Sequence, residues 1–156
     1  MNSPDQVMLE IGRGIELQQR GEREAARTLF TDIWSRIGAG GDPLHRCALA
    51  HSMADVQELP EDELVWDLRA LDAADSISDD RARMAGVAGT VAGFYPSLHL
   101  NLGDVYRRLG DVDNARKHLT CGRERVPALG VDGYAAMIVA GLDRLASRLP
   151  RTGGPP

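Results

Sequence analysis

Aromatic residues are scarce. Phe, Trp and Tyr make up 4% of the 156 residues, in a chain that is 43% hydrophobic. One domain with a real core is affordable at that length, but its filling must come from Ala, Leu, Val and Met. Strands favour aromatic and β-branched residues, so this composition points to close-packed helices and away from sheet. Lysine is almost absent: Lys117 is the single one, and the other basic residues are arginines. That reads as a bacterial, GC-rich coding bias and not as function. The two cysteines, Cys47 and Cys121, lie far apart and form no motif, which suits a reducing, cytoplasmic setting. No apolar run approaches membrane-spanning length. The start, MNSPDQVMLEIGRG, lacks the basic-then-apolar order of a secretion signal. A formal charge of −5 argues against nucleic-acid and anionic-membrane partners.

What is present is helical punctuation, clearest over residues 97–129. Pro96 suits a first helical turn, where its missing N–H has no partner to lose. Leu98, Leu102, Val105 and Leu109 follow at helical spacing. Gly110-Asp111 interrupts them as a short turn would. Val112, Ala115, Leu119 and Gly122 continue a second run. Lys117, Arg123 and Arg125 fall in its later turns, where cations favour the helix dipole. Pro127 stops it. Small residues sit where two antiparallel helices would cross: Gly103 faces Ala115, and Gly122 lies two turns further on.

Leu102-Gly103, Tyr106, Ala115, Leu119 and Pro127 stand at six matching offsets within one 34-residue unit. This stretch resembles the tetratricopeptide repeat. His99 stands where that family usually has Trp, and Leu119 where it often has Phe. The resemblance implies an all-α, right-handed solenoid of helical hairpins whose first helices line a concave groove for peptides or partner helices.

The rest of the chain is read in that frame. Ser3 and Pro4 are placed as the cap and first turn of a helix carrying Val7, Met8, Ile11 and Ile15. A turn at Arg20-Gly21-Glu22 leads to a second helix over residues 24–37, with Ala25, Ala26, Leu29, Phe30, Ile33 and Ile37 on one broad face. Gly14, Leu17, Ala26 and Phe30 occupy the relative places of Gly103, Tyr106, Ala115 and Leu119, which makes residues 7–40 a first repeat. Asp42-Pro43 opens a third helix over about residues 44–58, and a fourth follows Pro60 to Ala74. Residues 47–80 form a degenerate second repeat, with Ala54 in the Gly slot and Ala70 and Ala73 in later packing slots. Trp66 falls where a small residue is usual, so either the register slips or the hairpin splays. Ser78-Asp79-Asp80 caps a short helix over residues 81–87. Gly86, Gly89 and Gly93 with Val87, Val91 and Phe94 complete an apolar insertion, residues 81–95, before the third repeat at 96–129. A last helix, residues 131–149, carries Tyr134, Ile138, Leu142, Leu145 and Leu149 on one stripe. It has the form of an end cap with a polar outer face. Residues 151–156 read as a disordered tail.

Mapped from the resemblance, the groove-lining residues are Ile11, Ile15 and Gln18 in the first repeat and His51, Asp55 and Glu58 in the second. Leu100, Asn101, Asp104, Arg107 and Arg108 come from the third. Asn101 matches one place of the family's carboxylate clamp, but the basic partners are missing, so a basic or amphipathic segment is the expected ligand. Cys47, His51 and Asp55 are spaced i, i+4, i+8 along one helix face, and such side chains bind transition metals. Two ligands on one helix arise readily by chance, and a buried Cys beside a hydrogen-bonded His is the plainer reading. Gly12 to Gly14 lies inside a helical pattern, and the glycines at 86, 89 and 93 lack the Lys-Ser/Thr of a nucleotide loop.

The reading is a non-catalytic protein- or peptide-binding adaptor in the cytoplasm, with no cofactor and no metal. One alternative is a homo-oligomeric scaffold, a homodimer burying Trp34 or the apolar insertion. Another is a metal- or small-molecule-binding enzyme centred on His51, Asp55 and His99.

Overall fold

The computed structural model describes residues 5–84, 91–130 and 132–151; among them every regular element is helical and no strand occurs. The elements are α1 (Gln6–Gln19), α2 (Arg23–Ile37), α3 (Pro43–Ala54), α4 (Pro60–Ala74), α5 (Asp79–Met84), α6 (Tyr95–Arg108), α7 (Val112–Arg125) and α8 (Gly133–Arg148). Short 3₁₀ turns at Val91–Phe94 and Val126–Ala128 flank the α6–α7 pair. Helices pack in sequential pairs: α1 with α2, α3 with α4, and α6 with α7. The chain divides into two compact units, Met1–Ala88 and Gly89–Pro156. The division falls inside the 81–95 insertion.

In the first unit, the residue that caps α1 is Asp5, whose carboxylate accepts the Met8 N–H at 3.1 Å. Ser3 and Pro4, expected there, lie outside the described residues. Gly21 takes φ +82° in the α1–α2 turn, a conformation that side chains resist. The core gathers Ile11, Phe30, Ile33, Leu49, Met53 and Val56. At the α1–α2 crossing the Phe30 ring lies against Gly14, so close that a Cβ there would sit 2.2 Å from the ring. Of the broad face expected on α2, Ala25 is exposed. Trp66 packs edge-on against Trp34 of α2, with ring centroids 4.9 Å apart. The ring is thus accommodated against the second helix of the preceding hairpin.

The third helix ends four residues earlier than its apolar spacing suggested. After Ala54 the chain tightens: Val56 N–H bonds to Met53 O and Gln57 N–H to Ala54 O. The Gln57 side chain also donates to Met53 O at 3.0 Å. Val56 keeps helical spacing and full burial without belonging to the helix.

Arg81 on α5 ties this unit together. Its guanidinium reaches Asp42, the N-cap of α3, at 2.6 Å and Asp5, the N-cap of α1, at 3.5 Å. His45 stands 2.7 Å from Asp5. Burial acts to raise the Asp5 carboxyl, yet the His45 bond, the Met8 N–H and Arg81 together hold it below the usual carboxylate range. The short helix is capped by Ser78, whose hydroxyl accepts the Arg81 N–H at 3.0 Å. Its expected extension to Val87, with Gly86 and Gly89, lies outside the described residues.

The described residues of the second unit form three α-helices, α6, α7 and α8. Leu98, Leu102 and Val105 of α6 are buried, and Gly110 turns the chain at φ +82°. Asp111 caps α7 through the Asn114 N–H at 3.1 Å. α8 lays Ile138, Leu142 and Leu145 over this hairpin with Leu119. Gly103 accommodates Leu145 of α8, Gly122 accommodates Leu142, and Gly141 accommodates Leu100 of α6. The stripe expected on α8 is shorter at its start, because Tyr134 is 48% exposed. Its outer face is not uniformly polar either. Met137 is 57% and Val139 37% exposed, with Ala136 and Ala140 open beside them.

Candidate binding face

The α6–α8 packing creates a crevice of about 180 Å³ in the second unit. Leu100, Asn101 and Asp104 line it from α6; Gly141, Arg144, Leu145 and Arg148 line it from α8. The origin is local. Residues 100, 101 and 104 share one face of α6 at helical spacing. The bare backbone at Gly141 lets Leu100 approach so closely that a Cβ there would sit 2.7 Å from its Cδ2. Leu100 is half-buried there and supplies an apolar floor beside the amide of Asn101.

The electrostatics of this face are set by arginine. Asp104 accepts Arg107 at 2.9 Å and Arg108 at 3.1 Å. Its carboxylate is therefore already engaged. Arg144 and Arg148 are exposed, and among the described residues neither has an ion-pair partner. Two guanidinium groups thus hold the one carboxylate, and two more line the crevice from α8. Three of the five third-repeat candidates line the crevice, and the other two, Arg107 and Arg108, hold Asp104 in place.

The first-unit candidates are placed differently. Ile11 is 2% exposed in the core and cannot touch a partner; the apolar spacing that suggested a groove is core spacing. Ile15 is half-buried and packs on the same cluster, while Gln18 is half-buried near the end of α1. His51 is half-buried on α3. Asp55 is the C-cap of α3, and Glu58 lies in the loop before α4, so neither continues the helix face expected for them. Glu58 is exposed and stands 3.5 Å from Arg27 of α2. Glu58 lines a wide, shallow polar hollow along α2 with Arg23, Glu24, Arg27, Thr28 and Thr31, and Arg23 bonds the neighbouring Gln57 carbonyl. Asp55 keeps an open edge, but the surrounding protein raises its carboxyl pKa. Desolvation is the leading cause; Glu63 adds to it, and His51 and Arg23 oppose it.

The metal-type pattern does not assemble in its own unit. Cys47 points into the core, where burial pushes its thiol up to about 12. His51 and Asp55 remain as an electrostatic pair, and among the described residues no group of three or more His, Cys, Asp or Glu is placed to hold a metal ion. His99 belongs to the second unit and faces His118 of α7, with the two Nδ1 atoms 2.9 Å apart. Residues 19 positions apart meet only once the hairpin closes, so spacing along the chain gave no sign of the pair. The α8 arginines escaped notice for a similar reason: lying off the apolar stripe, they read as a solvated surface. No helix among the described residues is long and apolar enough to cross a membrane. Comparison with protein-family models, with curated proteins and with solved structures found no match.

Proposed function

We propose that the chain is a non-catalytic binding module for a protein segment, built on tetratricopeptide-like hairpins in a solenoid. The observation that carries this reading is the α6–α8 crevice. It joins an apolar floor, an amide and two arginines with no ion-pair partner among the described residues, on rigid helices held together by close glycine contacts. The ligand that suits it is an amphipathic segment presenting one apolar side chain to Leu100 and a carboxylate to Arg144 and Arg148. A basic segment has less to gain here, because Asp104 is neutralised by Arg107 and Arg108.

The test is selection of a displayed peptide library on the wild-type protein, followed by titration of the enriched peptides. Arg144→Glu/Arg148→Glu should weaken them at least tenfold while the helical circular dichroism is unchanged. Equal binding by this variant would remove the crevice from the account, and a library that yields no enriched sequence would remove peptide binding itself.

A second reading, self-association, draws on the open apolar half of α8: Tyr134, Met137 and Val139, beside a trough of about 420 Å³ against Val126 and Gly130. It requires a mass that rises with concentration and falls back to the monomer in Met137→Glu.

A further inference from the structure

We propose that the His99–His118 pair is a proton-operated lock on the α6–α7 hairpin, holding it closed at neutral pH and releasing it in mild acid. This stands apart from the peptide-binding reading and needs no ligand.

The geometry carries it. Both imidazoles are buried, with 7% and 8% of their surface exposed. Their ring centroids are 5.2 Å apart and their Nδ1 atoms 2.9 Å apart, so the rings meet edge to edge through Nδ1. Two Nδ1 atoms at that distance share one proton: one ring donates an N–H and the other accepts through its lone pair. The donor is thus the Nδ1–H tautomer and the acceptor carries its hydrogen on Nε2. A first proton can enter at the donor's Nε2 lone pair, which keeps the Nδ1–H···Nδ1 bond but places a charge inside a buried column; a proton on the acceptor Nδ1 sets two N–H groups facing each other, and the bond becomes a repulsion.

The surroundings resist charge. From α6, Tyr95 stacks on His99 at 6.2 Å and Tyr106 on His118 at 5.5 Å, which extends the pair into a four-ring column. From α7, Lys117 acts on His118 with like sign, and Arg125 lies over the Tyr95 ring at 4.7 Å. From α8, Leu142 closes the column's side at Gly122, beside the His99 Cβ. Burial first, and Lys117 second, lower the pKa of His118. In the unfolded chain the same ring takes its proton near its ordinary value of about 6.5. The folded hairpin therefore binds fewer protons than the unfolded one, and its stability is full above that value and falls as pH drops through it. Asp111, which caps α7, is held low by the Asn114 side chain and N–H, so its contribution is lost only well into the acid range.

The experiment follows unfolding by denaturant at several pH values from 7.5 to 5.0, in the wild type and in His99→Phe/His118→Phe, which keeps the column aromatic. From pH 6.5 to 5.0 the folded-to-unfolded ratio of the wild type should fall at least tenfold more than that of the variant, because each extra proton bound on unfolding is worth tenfold per pH unit. Equal slopes would overturn the proposal. If the double variant does not fold, ¹⁵N spectra of the wild-type imidazoles decide. The lock requires one Nδ1–H and one Nε2–H tautomer at pH 7.5, and loss of the α6 and α7 amide signals together with their titration. Two rings titrating independently near 6.5, with those amide signals unmoved, would equally overturn it.

Discussion

The two units fill the same kind of gap from different sources. Gly14 in α1 and Gly103 in α6 hold matching places in their hairpins, as do Phe30 in α2 and Leu119 in α7. In the first unit the space over the glycine is taken by the Phe30 ring, from the hairpin's own second helix. In the second unit the corresponding residue is the smaller Leu119, and Leu145 of α8 reaches the glycine instead. Losing an aromatic ring at that place leaves room that a third helix occupies. α8 is therefore part of the second unit's core and not merely a cover over its end. The units also differ in how their hairpins are keyed. In the first unit α1 and α2 meet through Ile11, Gly14, Phe30 and Ile33, and the buried polar side chains Ser52 and Asp67 belong to α3 and α4, whereas the α6–α7 pair encloses two imidazoles.

Substitutions can break this comparison. The largest effect is expected from Phe30→Ala, which empties a fully buried ring site and should cost about 3–5 kcal/mol; Leu145→Ala should cost about 2–4 kcal/mol. Hydrogen exchange resolved by helix checks the assignment. Phe30→Ala should expose α1 and α2 amides, and Leu145→Ala should expose those of α6 as well as α8. If α6 keeps its protection in Leu145→Ala, α8 is only a cover.

A smaller effect is expected from Arg81→Ala. Removing the guanidinium leaves the part-buried Asp5 and Asp42 without their shared counter-ion, and should cost about 1–2 kcal/mol by denaturant titration. A change within error would mean that the two caps hold without α5. The smallest effect has the opposite sign. Asp55→Asn removes a carboxylate from the C-terminal end of α3, where its charge opposes the helix dipole and where its surroundings already disfavour ionisation. A gain of about 0.5 kcal/mol at pH 7 is expected, shrinking as pH falls and Asp55 protonates, so a loss of stability would contradict it.

Much of the helical layout was legible because the chain is punctuated. Gly21, Gly110, Pro60, Pro96 and Asp42-Pro43 mark turns and starts by backbone chemistry that tertiary packing does not override. The end of α3 was not legible, since Val56 and Leu59 continue the apolar spacing past Ala54 while hydrogen bonds to Met53 and Ala54 end the helix. The face of α1 was legible as apolar but not as core, because Ile11 has the same spacing whether it meets a partner or Phe30. Leu100, Asn101 and Asp104 were placed together by the resemblance to a repeat. Their counterparts on α8 needed the packing at Gly141. Arg81 acts across 39 positions to Asp42 and 76 to Asp5, and the two histidines across 19, distances at which a single sequence carries no pairing signal.

The contrast between the two thiols has a practical consequence for spectroscopy. Cys47 is sealed in the first unit with its proton held tightly, whereas Cys121 is partly open on α7, one turn beyond His118. A maleimide dye added to the native wild type should therefore label one site, with no cysteine removed by mutagenesis. That dye would sit beside the aromatic column and report on it through changes in its own emission.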